Sequence, residues 1–484
     1  MRSVFLAAGL TILFSAPLSA QLSGSWRGTY TISIVCANGS SFDSAGLAAA
    51  VLEESPDRDV TGTLLVDDFL FGDIATCTPQ SRAPASFALT GRVSGSSFTG
   101  AASVLGIVVP LSGTVTENQF SATVQSNLAT GGFTFTRDTA SVPDLTGTWS
   151  GAIGGVIVCD GEPIPQQKGP VTVWLRQNGD QIAGTAVAYI LYVDPWTCEV
   201  EGPVSIPMGM IATVNGNVLR GYLTTLWGDK PLVASIGPTS IVAAATDAGA
   251  SATLSLTKTD SIDPPSEWSG VWKGTATTEE SVAWACANMN TLRYDEVVSV
   301  TILHLGNAFF GSGTASGARY VVPDANRNCT VVQEPPVSFT VAGLVQGSES
   351  AGAFVFEDTL ADFHGQFTGN TFSGVTGDGE DQSTFSLTRQ EPTGNAPVMI
   401  TSFTARPATI RPGQAVELRW VTAYANSVTI APGVGSLPPK GTVSVHPSET
   451  TTYTLTATGS DMASAYCSVT VKAPVTGRRR AVRH

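Results

Sequence analysis

Trp26, Trp149 and Trp272 stand 123 residues apart, then 123 again, and each sits in the same short frame. The frames run from Leu22 to Gly28, Leu145 to Gly151 and Trp268 to Gly274, each with a Gly two places before the Trp and another two places after it. A period this long marks a whole domain repeated, not a short solenoid unit. Most of the chain is therefore three copies of one module. The repeat bounds the architecture tightly and names no activity.

Within each module the pattern is short alternating strands joined by tight turns. Val171–Gln177, the turn Asn178-Gly179-Asp180 and Gln181–Val187 read as a hairpin. Phe87–Val93 with Ser97–Ala102, and Gly365–Thr368 with Thr371–Gly374, repeat the design. No segment carries a helical period. Evenly spaced hairpins predict an antiparallel meander closing into a barrel or sandwich. Each module also ends on a matched strand: Phe133–Arg137, Leu254–Lys258 and Phe385–Arg389. If the meander closes, first and last strands become neighbours and the terminal cation lies over the indole. That contact stabilises by roughly 0.5–2 kcal/mol, and closure removes aggregation-prone edges.

These residues make each module resemble the lipocalin-like (calycin) barrels, which open on Gly-x-Trp and carry an Arg or Lys on the last strand packing across it. The matching sets are Gly24 and Trp26 with Arg137, Gly147 and Trp149 with Lys258, and Gly270 and Trp272 with Arg389. The modules are shorter than typical lipocalins and show no helix after the barrel, so interiors filled with side chains are an alternative to hollow ones. Residues 397–473 differ. Strands at Phe403–Pro407, Arg411–Trp420, Ser427–Ile430 and Thr450–Ala457, separated by Pro/Gly turns, resemble a bacterial immunoglobulin-like domain. That resemblance implies a Trp420 buried in the core. The predicted fold is all-β: three tandem antiparallel up-and-down β-barrel modules (21–139, 144–260 and 267–390) followed by an Ig-like β-sandwich (397–473). The connecting stretches Thr139–Pro143, Ser261–Ser266 and Glu391–Pro397 are short, which predicts limited interdomain motion.

Residues 1–20 read as a signal peptide: Arg2, an apolar run from Val4 to Phe14, and a small-residue exit with cleavage after Ala20. The apolar run is too short for a permanent span, so the expected location is extracellular, cell-surface or periplasmic. Six of the seven cysteines fall early and centrally in the modules. In an exported chain that predicts the disulfides Cys36–Cys77, Cys159–Cys198 and Cys286–Cys329. Closing a loop of this length is worth roughly 4 kcal/mol in the chain-entropy account. Cys467 is left over as a free thiol. The formal net charge is −14, and four of the cations, Arg478, Arg479, Arg480 and Arg483, crowd a basic tail at 474–484. A body this acidic is a poor match for phosphate backbones, which argues against a nucleic-acid partner.

The chain shows no nucleophile elbow, zinc-protease motif, phosphate loop or dinucleotide fingerprint. The four histidines, His304, His364, His446 and His484, have no partners at recognisable spacing. Asp67-Asp68 and Glu380-Asp381 read as solvated turn or edge residues. No catalytic residue, metal ligand or cofactor is expected. Asp73, Asp194 and Asp324 each precede a central cysteine and read as turn-fixing residues, the alternative being a polar contact at each barrel mouth. The second module carries three extra indoles, Trp174, Trp196 and Trp227. With Asp194 these are the ligand-contact candidates, Trp196 foremost because its loop lies beside Cys198. The functional expectation is an exported, non-enzymatic binding or surface-display protein. Its partner would be an envelope or extracellular protein or glycan. The alternatives are a lipocalin-like carrier of small apolar ligands, which needs a hollow interior, and an extracellular hydrolase.

Overall fold

The computed structural model describes residues 22–472 apart from 74, 105–106, 140–143, 160–161, 194–198, 227, 247–249, 263, 265–266, 357–358, 378–381, 391–397 and 460–461. The predicted signal peptide, the linker at Glu391–Pro397 and the basic tail lie outside the described residues.

Three closed antiparallel barrels of eight strands each account for most of the chain. The first runs from Gly24–Val35 to Ala129–Arg137, the second from Gly147–Cys159 to Ala250–Asp260, and the third from Gly270–Ser281 to Gln382–Arg389. Sequential strands pair and the last returns to the first. The third barrel departs in one respect. Between Ala308–Ser316 and Val337–Gln346 it inserts a separate two-stranded hairpin, Arg319–Pro323 with Cys329–Gln333, outside the barrel wall.

Closure is built the same way three times. Trp26 pairs in register with Arg137, Trp149 with Lys258 and Trp272 with Arg389. The cationic groups lie 4.3, 5.6 and 5.8 Å from the ring centroids. Each indole N–H donates to the carbonyl four residues earlier, on Leu22, Leu145 and Trp268, at 2.8, 2.9 and 3.1 Å. The cations cap the same entry segment: Arg137 donates to the Ser23 carbonyl, Lys258 to that of Asp144, and Arg389 to that of Glu267. The tryptophan thus plugs one end of its barrel, and the last strand ties the incoming chain across it.

The C-terminal domain has two sheets, Met399–Arg406, Val416–Ala423 and Gly441–Val445 in one, and a five-stranded sheet containing Ala425–Ala431, Thr451–Gly459 and Met462–Val471 in the other. Trp420 is buried in its core and donates to the Pro438 carbonyl at 2.9 Å. Cys467 is free and half-buried opposite Tyr453, and burial pushes its thiol up to about 12.

The chain divides after Thr139 into two compact units. Inside the second unit, barrels two and three and the C-terminal domain share a small apolar junction. Ala183, Leu303, Leu305, Phe310, Ala342 and Met399 are buried there, with Trp174 and Tyr424 packed against them. Thr185 donates to the Leu305 carbonyl at 2.8 Å, and Arg419 reaches Tyr222 of barrel two. Gly306 shows how close the approach is. It sits at φ +66°, and a Cβ placed there would lie 2.3 Å from the Trp174 ring. Gly179 has a similar φ of +63° with open space around it. Both Gly→Ala changes cost about 1 kcal/mol for the left-handed backbone. Gly306→Ala adds an overpacking cost of roughly 1–3 kcal/mol. Calorimetry of the two variants should therefore show Gly306→Ala melting clearly below Gly179→Ala; equal melting temperatures would mean the junction yields freely.

Candidate functional site

Barrel interiors set what kind of site is available. Hydrophobic residues alternate inward on every strand, and their side chains meet. In barrel three Trp272, Phe309, Phe354, Phe363, Phe367, Phe372 and Phe385 form one cluster, with the Phe367 and Phe372 rings stacked at 4.1 Å. Barrel two retains a void of about 10 Å³ among Leu175, Met210, Leu219, Leu232 and Leu256. That is room for a single water at most, and an apolar lining gives a water no partner. A larger space of about 560 Å³ lies on the wall of barrel three, a shallow open depression over Gly365 and Gly374 rimmed by Glu349, His364 and Gln366.

The residues singled out from the sequence meet different fates. Trp174 points away from barrel two's core, as the alternation of Val171, Val173 and Leu175 requires, but barrel three covers it at the junction. Trp196, Asp194 and Trp227 lie outside the described residues, as does Cys198, so the Cys159–Cys198 pairing does too. Cys36 and Cys77 are bonded, as are Cys286 and Cys329. Asp73 accepts from the Ala75 N–H and the Thr76 hydroxyl, both at 2.8 Å, and these bonds hold its carboxyl below the usual range. Asp324 does the same with the N–H groups of Asn326 and Asn328. Both carboxylates are occupied in fixing their own loops. Asp67 and Asp68 are not turn residues. They are half-buried inside the strand Asp59–Asp73, where the register shifts between Val66 and Phe69, and the Tyr30 hydroxyl donates to the Asp68 carbonyl at 3.0 Å. A β-bulge holds the pair half-buried within a strand, where solvated turn or edge residues were expected. Glu380 and Asp381 lie outside the described residues.

The residue that sequence reasoning passed over is Trp284. It is 80% exposed, the most exposed large hydrophobic side chain among the described residues. Its loop is nonetheless braced from several directions. Arg327, itself at φ 62°, donates through its guanidinium to the carbonyls of Ala283, Trp284 and Ala285. The Ala287 N–H bonds the Arg327 carbonyl at 2.7 Å. The Asn288 amide bonds both backbone groups of Cys329, at 2.8 and 3.1 Å. The Cys286–Cys329 disulfide crosses the same spot, above a small core of Val282, Leu292 and the two cysteines. A flexible loop would fold an indole back onto apolar surface. Here the loop's hydrogen bonds are spent on the inserted hairpin, and the ring is held out in water. The available signal was Trp284 lying two residues before a cysteine, the same relation that Trp196 has to Cys198.

No family's sequence model matches the chain, and no curated protein matches it. Among solved structures it matches the isotype 1 transferrin binding protein B of serogroup B Neisseria meningitidis at 10% identity over 77% of each chain, with a TM-score of 0.18. It also matches a Trp-176-Ala mutant of transferrin binding protein B from Haemophilus parasuis Hp5, at 10% identity over 76% of each chain and a TM-score of 0.17. Scores this low are too weak to place two chains in one fold, and the barrels described above stand on their own strand pairing.

Proposed function

We propose that the chain is an exported, non-enzymatic binding or display protein whose contacts are made on the outside of solid barrels. The observation that carries this reading is the pairing of filled interiors with a braced, water-exposed Trp284. A carrier of apolar ligands would need an empty interior of several hundred Å³, and the aromatic cluster of barrel three occupies that position. The C-terminal two-sheet domain, read as Ig-like, serves as a fixed support for barrels two and three. An exposed indole on a rigid mount has the properties of an interface anchor, because little rotamer freedom remains to be lost on contact.

Two measurements test this. Native mass spectrometry of the secreted, oxidised protein should give the chain mass alone; a retained organic ligand released on denaturation would restore the carrier reading. Trp284→Ala should leave the melting temperature within about 1 °C, since an exposed side chain contributes little to stability. The same change should weaken capture of the protein on its native envelope or extracellular surface by ten-fold or more. A melting shift of many degrees would make Trp284 a structural residue instead.

A further inference from the structure

The hairpin beside Trp284 is unlike every barrel strand in having an open side. In the barrels each strand is paired on both edges, since first and last strands meet. The sheet of Arg319–Pro323 and Cys329–Gln333 contains only those two strands. Its register shows which way the free backbone groups point. Pro323 lies opposite Cys329 and cannot donate, so that pair is a non-hydrogen-bonded one and the Cys329 N–H and C=O face outward. Asn288 meets them there with its side-chain amide, in the manner of a short paired strand. Backbone direction repeats every second residue, so Val331 and Gln333 present their N–H and C=O on the same outer edge beyond Asn288. Edge strands in stable proteins are usually blunted by lysine, proline or a bulge. The run Thr330-Val331-Val332-Gln333 has none of these, and Val331 is 38% exposed. Tyr320 and Val322 add exposed apolar surface on the neighbouring strand.

We propose that the outer edge of Cys329–Gln333, with Trp284 at its end, is a docking site for an extended, lysine- or arginine-bearing polypeptide segment that joins the hairpin as a third strand. Main-chain hydrogen bonds to Val331 and Gln333 would supply the pairing and the indole an apolar anchor, the physics of strand addition. Charge selects the partner's sign. Glu280, Glu296 and Glu334 lie close enough together to act jointly on the Tyr294 hydroxyl, and Asp295 is exposed on the same strand as Glu296. Burial and then the Glu334 carboxylate push the Glu296 carboxyl up. A second copy of the chain would bring the same carboxylates face to face. A basic segment would neutralise them.

This inference rests on the surface-contact reading above, and its test is separable from that one. A displayed library of random octapeptides is selected on the full oxidised protein. Enriched peptides are remade in two forms, unmodified and with alternate backbone nitrogens methylated, and their affinities are measured for the natural protein, Val331→Pro and Trp284→Ala. Val331→Pro removes one outward N–H at a position that donates nothing across the hairpin, so the Cys286–Cys329 bond and the melting temperature serve as its folding control. The expected result is enrichment of peptides alternating Lys or Arg with β-branched or aromatic residues. Their affinity should fall ten-fold or more on Val331→Pro, on Trp284→Ala and on methylation of one peptide face. Three outcomes overturn the proposal: no enrichment, enriched acidic peptides, or enriched peptides indifferent to methylation. Concentration-dependent self-association abolished by Val331→Pro would also overturn it, in favour of a second copy. A clean native mass combined with any of these would leave the surface-contact reading standing and remove only the strand-addition site.

Discussion

Trp272→Ala should lower the stability of barrel three by roughly 3–5 kcal/mol, the usual cost of emptying a fully buried aromatic position. Trp272 has no exposed surface, and its ring meets Phe367 at 5.5 Å and Phe372 at 6.2 Å. Its N–H also satisfies the Trp268 carbonyl, so the change leaves an acceptor without its donor at the barrel's end. Arg389→Gln removes the cation above the ring, the tie to the entry segment and the guanidinium's bond to the Asn370 side chain, and should cost about 1–2 kcal/mol. In a chain of several domains a single unfolding free energy is not defined, so the readout is the calorimetric transition that Trp272→Ala displaces. A domain of this size loses roughly 4 °C or more per kcal/mol, which predicts a drop exceeding about 10 °C. A displacement of only one or two degrees would mean the barrel does not depend on its plug. Trp149→Ala should behave alike in barrel two.

Acid should destabilise the third barrel through His304. This residue is 3% exposed beside Phe309 at the plugged end of the barrel, and its Nδ1 meets the Trp268 N–H at a long 3.5 Å. Its Nε2 is buried with no partner among the described residues. Burial lowers its pKa to about 4 from the ordinary 6.5. The folded state therefore holds the neutral ring, and between pH 6.5 and 4 the unfolded chain binds the proton that the folded chain refuses. Stability is full above the unfolded value and is lost as pH falls through that window. The loss reaches about 3 kcal/mol at pH 4. Asp73 and Asp324, whose carboxyls sit below their usual range, contribute in the same direction but are shared with any His304 variant. Comparing the natural protein with His304→Leu between pH 7 and pH 4 isolates the histidine: the variant should lose about 3 kcal/mol less. Parallel pH profiles would show that His304 is protonated in the folded state at little cost.

Much of this molecule is legible in its sequence. The period of 123 residues and the alternating runs with hairpin turns pointed to a repeated antiparallel meander closing into a barrel or a sandwich. The resemblance of the Gly-x-Trp and terminal-cation strands to lipocalin-like modules pointed to the barrel. The Trp–cation pairs could be named individually, since each last strand ends on a cation and closure makes that strand the neighbour of the Trp strand, and the structure pairs them in register. The inserted hairpin of barrel three was less visible. Its strands have the same composition as wall strands, and only the pairing of Ala308–Ser316 with Val337–Gln346 sets them outside the barrel.

The indoles mark the limit most clearly. The sequence by itself placed Trp174 on the face opposite Val171, Val173 and Leu175, because alternation along a strand fixes the side to which a residue belongs. With both faces apolar, it left open which side is the core. Tertiary structure alone decided that barrel three lies over Trp174 while nothing among the described residues lies over Trp284. An outward side chain becomes core or contact surface according to what another domain places on it. That depends on packing between segments more than a hundred residues apart, and no local period carries that information.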